Sequence, residues 1–290
     1  MKVGFVNIFG RPNAGKSTLL NALLGEKLAI TSSKVQTTRH RIKGILTTDA
    51  YQVILSDTPG IIAPQYRLHE KMMDAVKEAL EDADLALLLF DLTDSDIQGA
   101  NALFAGVRLK VPAIVLCNKA DKVPAEKAAE AVAFFSQQDY CREAMAVSAL
   151  GGLPVDKLMQ SIITWLPEGG PFFAEDEMTD LPTRFFVGEM IREKIYELYE
   201  EEIPYHTTVL VQEFKEKASL IKIQADIIVQ RDTQKGIILG QGGKRIKSLG
   251  TAARADIEKF LGQKVFLELF VKVKPKWRDN DLYLKEYGYR

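Results

Sequence analysis

Short, almost wholly apolar runs recur at residues 3–9, 85–90 and 112–117. Each has the length of a strand and lacks the polar alternation of a half-exposed one, so each reads as a strand covered on both faces. Elsewhere the period changes. Residues 68–82 place Met72, Met73, Val76, Ala79 and Leu80 at helical spacing, with the two methionines as core filler. Residues 101–108, 124–138 and 155–165 read as further helices, the last with Leu158, Ile162 and Trp165 facing inward. Residues 42–47 and 51–55 flank a turn at Thr48-Asp49-Ala50 and predict an antiparallel hairpin. A short strand follows at 144–147. Residues 25–41 show no clear periodicity, and long stretches of that kind inside compact domains are usually functional or mobile.

The pattern breaks at Leu166-Pro167-Glu168-Gly169-Gly170-Pro171, followed by Glu175-Asp176-Glu177, Asp180 and Pro182. This composition predicts an exposed linker. The expected organisation is a first domain at 1–167, a linker at 168–183 and a second domain at 184–290. The second domain opens with a helix over 184–202, its stripe formed by Phe186, Met190, Ile191, Ile195, Leu198 and Tyr199. Strands are expected at 207–214 and 219–230, a helix at 249–261 and a strand at 264–273.

Composition narrows the class. The 290 residues are 47% apolar and 27% charged, as in a soluble globular protein, with a net charge of −1. A nucleic-acid surface would therefore be a local patch. No apolar run approaches the ~20 residues that span a bilayer, and the N-terminus enters the first strand without a signal peptide. Cys117 and Cys141 lack metal-ligand spacing and read as reduced thiols of a cytoplasmic protein. His40, His69 and His206 are far apart in sequence and read as surface residues.

The first apolar run leads into Gly10-Arg11-Pro12-Asn13-Ala14-Gly15-Lys16-Ser17-Thr18, and an apolar helix follows. Strand, glycine-bounded loop and helix in this order form a phosphate-binding loop. Gly10 and Gly15 permit close backbone approaches that a Cβ would block. The loop N–H groups and the helix N-terminus converge on phosphate oxygens. Lys16 reaches the β- and γ-phosphates, and the Ser17 hydroxyl ligates Mg²⁺. The hairpin ends in Asp57-Thr58-Pro59-Gly60. Asp57 is at the position that holds Mg²⁺ in such proteins, and Gly60 offers a bare N–H to the γ-phosphate.

Asn118-Lys119-Ala120-Asp121 ends the strand at 112–117 and selects the base. A carboxylate accepts from guanine N1–H and N2–H₂, whereas adenine would leave it unpaired. Asp121 is the expected guanine reader. Asn118 braces the site, and the Lys119 stem lies along the base. Ser148-Ala149-Leu150 lets backbone N–H groups approach O6.

The second domain contains Gly240-Gln241-Gly242-Gly243-Lys244-Arg245-Ile246-Lys247. A glycine pair of this spacing leaves the backbone bare, so that a nucleic-acid backbone can pass over it. Lys244, Arg245 and Lys247 lie where phosphates would be. Residues 231–276 hold eleven basic and four acidic residues, a local +7 in a chain of net −1.

Residues 10–17, Thr38, 57–60, 118–121 and 148–150 resemble the five ordered motifs of translation-factor-related GTPases. That resemblance implies an α/β fold, a doubly wound P-loop GTPase domain of about six strands. It also implies binding of GTP and GDP with Mg²⁺, and a role for Thr38 (Thr37 being the alternative) in capping the metal beside Ser17 and Asp57. Lys16, Thr38 and Gly60 are the expected catalytic group. Helix-strand-strand-helix-helix-strand with a GxxG between the helices is similar to a type II KH domain, of α+β class. The two together resemble the bacterial Era family over essentially the whole chain. Gln36-Thr37-Thr38-Arg39-His40-Arg41 and residues 267–274 fit its pattern. The resemblance implies a GTPase that binds the 3′ region of 16S rRNA and acts in assembly of the small ribosomal subunit. It is expected to be a monomer, and some members associate peripherally with the membrane. One departure stands out. Many GTPases carry a glutamine directly after the D-x-x-G glycine to orient the attacking water, and this chain has Ile61. Another residue, a K⁺ ion or a partner must then do so. The competing expectations are a constitutive RNA-binding scaffold with a structural nucleotide site and a P-loop kinase, the latter opposed by N-K-A-D.

Overall fold

The computed structural model describes residues 1–152 and 154–289. It divides into two compact units, Met1–Ala63 with Met72–Asp180 and Pro64–Lys71 with Leu181–Arg290.

The first unit runs β1 (Lys2–Gly10), α1 (Lys16–Leu24), β2 (Ile42–Thr47), β3 (Tyr51–Asp57), α2 (Arg67–Glu81), β4 (Leu85–Asp91), α3 (Ile97–Gly106), β5 (Ala113–Asn118), α4 (Ala125–Ser136), β6 (Cys141–Ala146) and α5 (Val155–Trp165). Its six strands are ordered β2-β3-β1-β4-β5-β6. Only the β2–β3 pair is antiparallel. Phe9, Leu88, Phe90, Val115 and Cys117 pack with Val76, Phe104 and Phe135, which places α2, α3 and α4 on one face. α1 and α5 cover the other, where Gly44 lies against Leu24 and Gly4 against Leu166. Chain order reverses around β1, so the crevice that binds ligands in open α/β sheets opens at the C-terminal ends of β1, β3 and β4.

In the first unit, three details differ from the sequence expectation. α3 begins at Ile97, a turn early, because Asp96 caps it by accepting from the Gly99 N–H at 2.8 Å. Trp165 is 39% exposed, while Leu166 is buried. The helix ends between them, and the extended backbone at Leu166 turns that side chain inward instead. The segment expected as an exposed linker is laced to the first unit. Buried Gln52 accepts from the Phe172 and Phe173 N–H groups at 2.7 and 3.1 Å and donates to the Phe173 carbonyl at 2.9 Å. Ile45 N–H donates to the Met178 carbonyl at 2.9 Å, and Lys43 pairs with Asp180.

The second unit holds α6 (Thr183–Leu198), α7 (Ile203–His206), β7 (Thr208–Glu216), β8 (Ile221–Val229), α8 (Asp232–Leu239), α9 (Lys244–Leu261), β9 (Val265–Val273) and α10 (Asp281–Glu286). Its sheet is ordered β7-β8-β9, with β8 antiparallel to β7 and parallel to β9. Val187, Ile191, Ile223, Ala225, Ala253 and Ile257 build part of the core between helices and sheet. Leu198 is exposed and Tyr199 takes its place inside, as the helix stops at that point. Residues 277–289 have no sequence period, yet Trp277 is fully buried and donates Nε1–H to the His206 carbonyl at 3.0 Å. His69, expected at the surface, is buried with its ring 3.7 Å from that of Tyr66. Both cysteines are free thiols. Among the described residues, no helix is long and apolar enough to cross a membrane.

Candidate functional site

The loop from Gly10 to Lys16 turns on glycine. Gly15 has φ 97°, and a Cβ there would run into Asn118 Nδ2. A Cβ on Gly60 would lie 2.8 Å from Pro12 N, so residues 60 and 12 touch backbone to backbone. The N–H of Ile61 donates to the Gly10 carbonyl at 3.2 Å.

Lys16 opens α1 and is buried. Its ammonium donates to the Arg11 carbonyl at 3.0 Å and the Gly10 carbonyl at 3.4 Å. Burial pushes this lysine down to about 8, with the charge of Asp57 opposing. Burial likewise holds Asp57 above the ordinary carboxylate range, against the pull of Lys16 and hydrogen bonds from Ser17, Thr38 and the Thr58 N–H. Ser17 Oγ donates to Asp57 Oδ2 at 2.5 Å, Thr38 Oγ1 donates to the same oxygen at 3.0 Å, and the two hydroxyls are 2.8 Å apart. Asp57 Oδ1 is buried without a hydrogen-bond partner. Two hydroxyls and a carboxylate at one point are a donor set suited to a hard divalent cation such as Mg²⁺, and the orphaned oxygen fits that use.

A cavity of about 280 Å³ adjoins this point, lined by Asn13, Gly15, Ser17, Thr18, Gly60 and Lys119 together with residues of the 30–38 segment. A smaller one of about 80 Å³ shares Gly15, Thr18, Lys119 and Lys122 with it and is lined further by Asn118, Asp121, Ala149 and Leu150. Asn118 joins the parts: its amide donates to the Ala14 carbonyl at 2.8 Å and accepts from the Ala149 N–H at 3.0 Å. Ser148 Oγ donates to Asp121 Oδ1 at 2.5 Å, which holds one oxygen of that lining carboxylate. Lys119 pairs with Asp91 at the end of β4.

Not every expected residue faces the cavity. The Arg11 guanidinium turns to Asp94 and Asp96, at 2.9 and 2.8 Å. Thr58 Oγ1 donates to the Ile8 carbonyl at 2.6 Å, and Pro59 is buried. Ile61 packs against the apolar cluster beneath α2. Conversely, Ile30, Thr31, Ser32, Ser33 and Lys122 line the cavity and carried no motif. Their placement is fixed from a distance. Asn21 holds the entry of the segment through Leu28 N–H, Ala29 N–H and the Ala29 carbonyl, and Asn13 Nδ2 donates to the Ser33 carbonyl at 2.8 Å.

The turn at 240–243 is built differently. Gly240, Gly242 and Gly243 have φ of 67°, 59° and 75°, and a Cβ on Gly242 or Gly243 would meet nothing within 4 Å. α9 begins at Lys244, a turn earlier than its apolar stripe indicates. Lys244 and Lys247 are exposed. Arg245 is exposed too, but its stem packs over Gly240 and its guanidinium lies 4.5 Å from the Tyr199 ring centre.

Comparison with known proteins defines the class. Residues 5–119 match the family model described as "50S ribosome-binding GTPase", and 202–278 match the KH domain model. The chain is thus a P-loop GTPase carrying a KH domain. GTPase Era of Caldanaerobacter subterraneus subsp. tengcongensis is 43% identical over 99% of this chain and 98% of its own. GTPase Era of Geobacter sp. strain M21 is 45% identical over 99% and 97%. A crystal structure of Era in complex with MgGDPNP and nucleotides 1506–1542 of 16S ribosomal RNA matches with a TM-score of 0.95 at 40% identity, covering 100% of this chain and 99% of that one. A variant of Aquifex aeolicus Era bound to GDP and AlF₄⁻ matches equally well. The chain belongs to the Era family of GTPases, and the reaction it catalyses is hydrolysis of GTP to GDP and phosphate.

Proposed function

We propose that this GTPase is a nucleotide-driven switch that binds the 3′ region of 16S rRNA during assembly of the small ribosomal subunit. The observation that carries the switch is the convergence of Ser17, Thr38 and Asp57 on one point beside buried Lys16. Thr38 belongs to a segment without helix or strand, so a ligand at that point rewards one arrangement of residues 25–41.

In this reading, Mg²⁺ is held by Ser17, Thr38 and Asp57 and neutralises charge on the β- and γ-phosphates. The N–H groups of 13–18 and the Lys16 ammonium cradle the phosphates, and Gly60 N–H reads the γ-phosphate. Asp121 accepts from guanine N1–H and N2–H₂, braced by Ser148, while Asn118 ties the base site to the phosphate loop. Ile61 packs into apolar surroundings, so the attacking water is oriented by a group other than residue 61. Gly240, Gln241, Gly242 and Gly243 pass the RNA backbone, with Lys244, Arg245 and Lys247 around it. The RNA assignment is supported by the fragment bound to the relative, which belongs to the small subunit although the matching family model is named for the 50S particle. We place the protein in the cytoplasm as a monomer, with residues 1–167 and 184–290 as its working domains.

The test is binding of an RNA spanning the matching 3′ segment to the GDPNP and GDP forms. Different affinities are expected, and equal affinities overturn the coupling. Lys16→Ala, measured in parallel, should lower turnover about 10²-fold or more and leave RNA binding to the nucleotide-free protein intact.

A further inference from the structure

Thr38 lies in a segment whose downstream end is held by the Arg41 side chain. Arg41 immediately precedes β2, and its side chain is 11% exposed. Nη1 donates to Asp82 Oδ2 at 2.6 Å and Nη2 to Asp82 Oδ1 at 2.9 Å. Nε and Nη2 donate to Ser56 Oγ at 3.1 and 3.0 Å, and Nη2 also reaches Asn7 Oδ1 at 3.2 Å. Ser56 and Asn7 are fully buried and sit opposite each other on β3 and β1. Asn7 Nδ2 donates onward to Asp82 Oδ1 at 2.8 Å and to the Ala79 carbonyl in the last turn of α2.

This polar cluster has a buried half, Asn7, Ser56 and most of Arg41, and a solvent-facing one, the Asp82 carboxylate at 39% exposure, and none of its members lines the nucleotide cavity. Buried polar groups such as Asn7 and Ser56 are costly when left unsatisfied, so the complete set of bonds selects a single arrangement. The neighbours of its members indicate which arrangement is selected. Ser56 directly precedes Asp57. Arg41 is three residues after Thr38, whose hydroxyl donates to Asp57. Asp82 follows α2, the helix entered by the chain after Gly60. One guanidinium therefore ties the end of the Thr38 segment to the strand that carries Asp57 and to the end of α2.

We propose that Arg41 is a positioning residue for GTP hydrolysis: its clamp on Ser56, Asn7 and Asp82 anchors the downstream end of residues 25–41, so that Thr38 reaches the metal whenever a triphosphate is bound. The inference rests on the reading of Thr38 as a metal-capping group. It requires the planar fork of arginine, since a lysine ammonium does not span a carboxylate and a hydroxyl in one plane.

The experiment measures affinities for GDPNP and GDP with Mg²⁺, and hydrogen exchange of residues 25–41 in the GDPNP form. Arg41→Ala should weaken GDPNP about tenfold while leaving GDP unchanged, within the usual range of site-to-site coupling. Exchange of 25–41 should rise. Arg41→Lys should not restore the ratio, and Asp82→Asn should shift it in the same direction by less. Thr38→Ala is measured alongside. If it lowers the GDPNP-to-GDP ratio and Arg41→Ala does not, the clamp is wrong and the Thr38 reading stands. If Thr38→Ala leaves the ratio unchanged, the Thr38 reading fails and takes the clamp with it. Equal losses of GDP and GDPNP in the Arg41 or Asp82 variants also overturn the proposal, because they mark a purely structural part. Should Arg41→Ala not fold, Asp82→Asn decides by the same ratio.

Discussion

Two glycine turns open two helices in this molecule, and they need their glycines for different reasons. Gly15 precedes α1 and Gly243 precedes α9, both with left-handed φ. Around Gly15 the protein itself fills the space. Asn118 lies where a Cβ would go, Pro12 lies against Gly60, and Lys16 is buried. Around Gly242 and Gly243 a Cβ would meet nothing within 4 Å. The first turn is closely packed by the protein's own groups and walls a small cavity. The second is an open surface, and in the function proposed above its bareness admits something larger that passes over it. Pre-formed polar groups in an enclosed site discriminate strongly, whereas an open backbone turn favours a ligand recognised by its own backbone.

The largest effect expected from this contrast is at Asp121. Replacing it with Asn exchanges two acceptors for one acceptor and a donor, facing guanine groups that only donate. GTP affinity should fall roughly 10³-fold or more, and XTP, whose C2 oxygen accepts, should bind in its place. Competition between the two nucleotides measures this directly. Unchanged GTP preference would mean that the smaller cavity is not the base site.

At the open turn the expected loss is smaller and falls on a different ligand. Gly242 has φ 59°, which costs an L-residue about 1–2 kcal/mol. Gly242→Ala should weaken RNA binding by roughly tenfold from that strain. Gly242→Asp should weaken it further by adding negative charge against phosphate. GTP affinity should stay unchanged in both. Normal RNA affinity for Gly242→Asp would show that the bare turn is not where the RNA backbone passes.

Both turns are legible in the sequence. Both glycine patterns are local, because backbone geometry there depends on residues within one loop, and so their spacing is visible in the chain. The doubly wound sheet follows from apolar runs alternating with helical stripes, and its strands lie where those runs are. What the chain hides is pairing over long separations. Gln52 holds residues 172 and 173 through three hydrogen bonds, and no period announces a partner 120 residues away. The same applies to Arg11, which reads as a phosphate-loop side chain until Asp94 and Asp96 are seen to hold it. Trp165 and Leu166 show a related limit: helical phase places Trp165 inward, and the exact end of α5 brings Leu166 in instead. Residues 277–289 carry aromatic anchors without a period, so Trp277 emerges only from tertiary packing.

The enclosed site should also respond to pH. Burial lowers the Lys16 ammonium of the free protein to about 8, whereas a bound triphosphate favours its charged form. Below pH 8 the lysine is protonated in both states and affinity is level. Above pH 8 the free protein loses the proton and the complex retains it, so affinity for GTP should fall by up to about tenfold per pH unit until the complex titrates too. Titrating GDPNP affinity from pH 7 to 9.5 tests the sign. A flat profile, or one shared by Lys16→Ala, would remove Lys16 from the phosphates.

The smallest expected effect asks how far the enclosure extends. Asp91 at the end of β4 pairs with Lys119, and its Oδ1 is held by the Thr93 N–H at 2.9 Å and by the Thr93 hydroxyl. Burial opposes this carboxylate's charge, but the bonds from Lys119 and Thr93 outweigh it and keep the group below its ordinary range. Lys119 lines both cavities, so the carboxylate fixes the side chain against which the base would lie. Asp91→Asn retains the Thr93 contacts in part and loses the charge. The pair is partly solvated and the expected loss is modest, about 1 kcal/mol or fivefold in affinity. It should be equal for GDP and GDPNP, since Lys119 acts on the base and not on the γ-phosphate, and turnover of bound GTP should not change. A loss confined to GDPNP would place Asp91 with the switch segments instead and would extend the nucleotide-sensing network across β4.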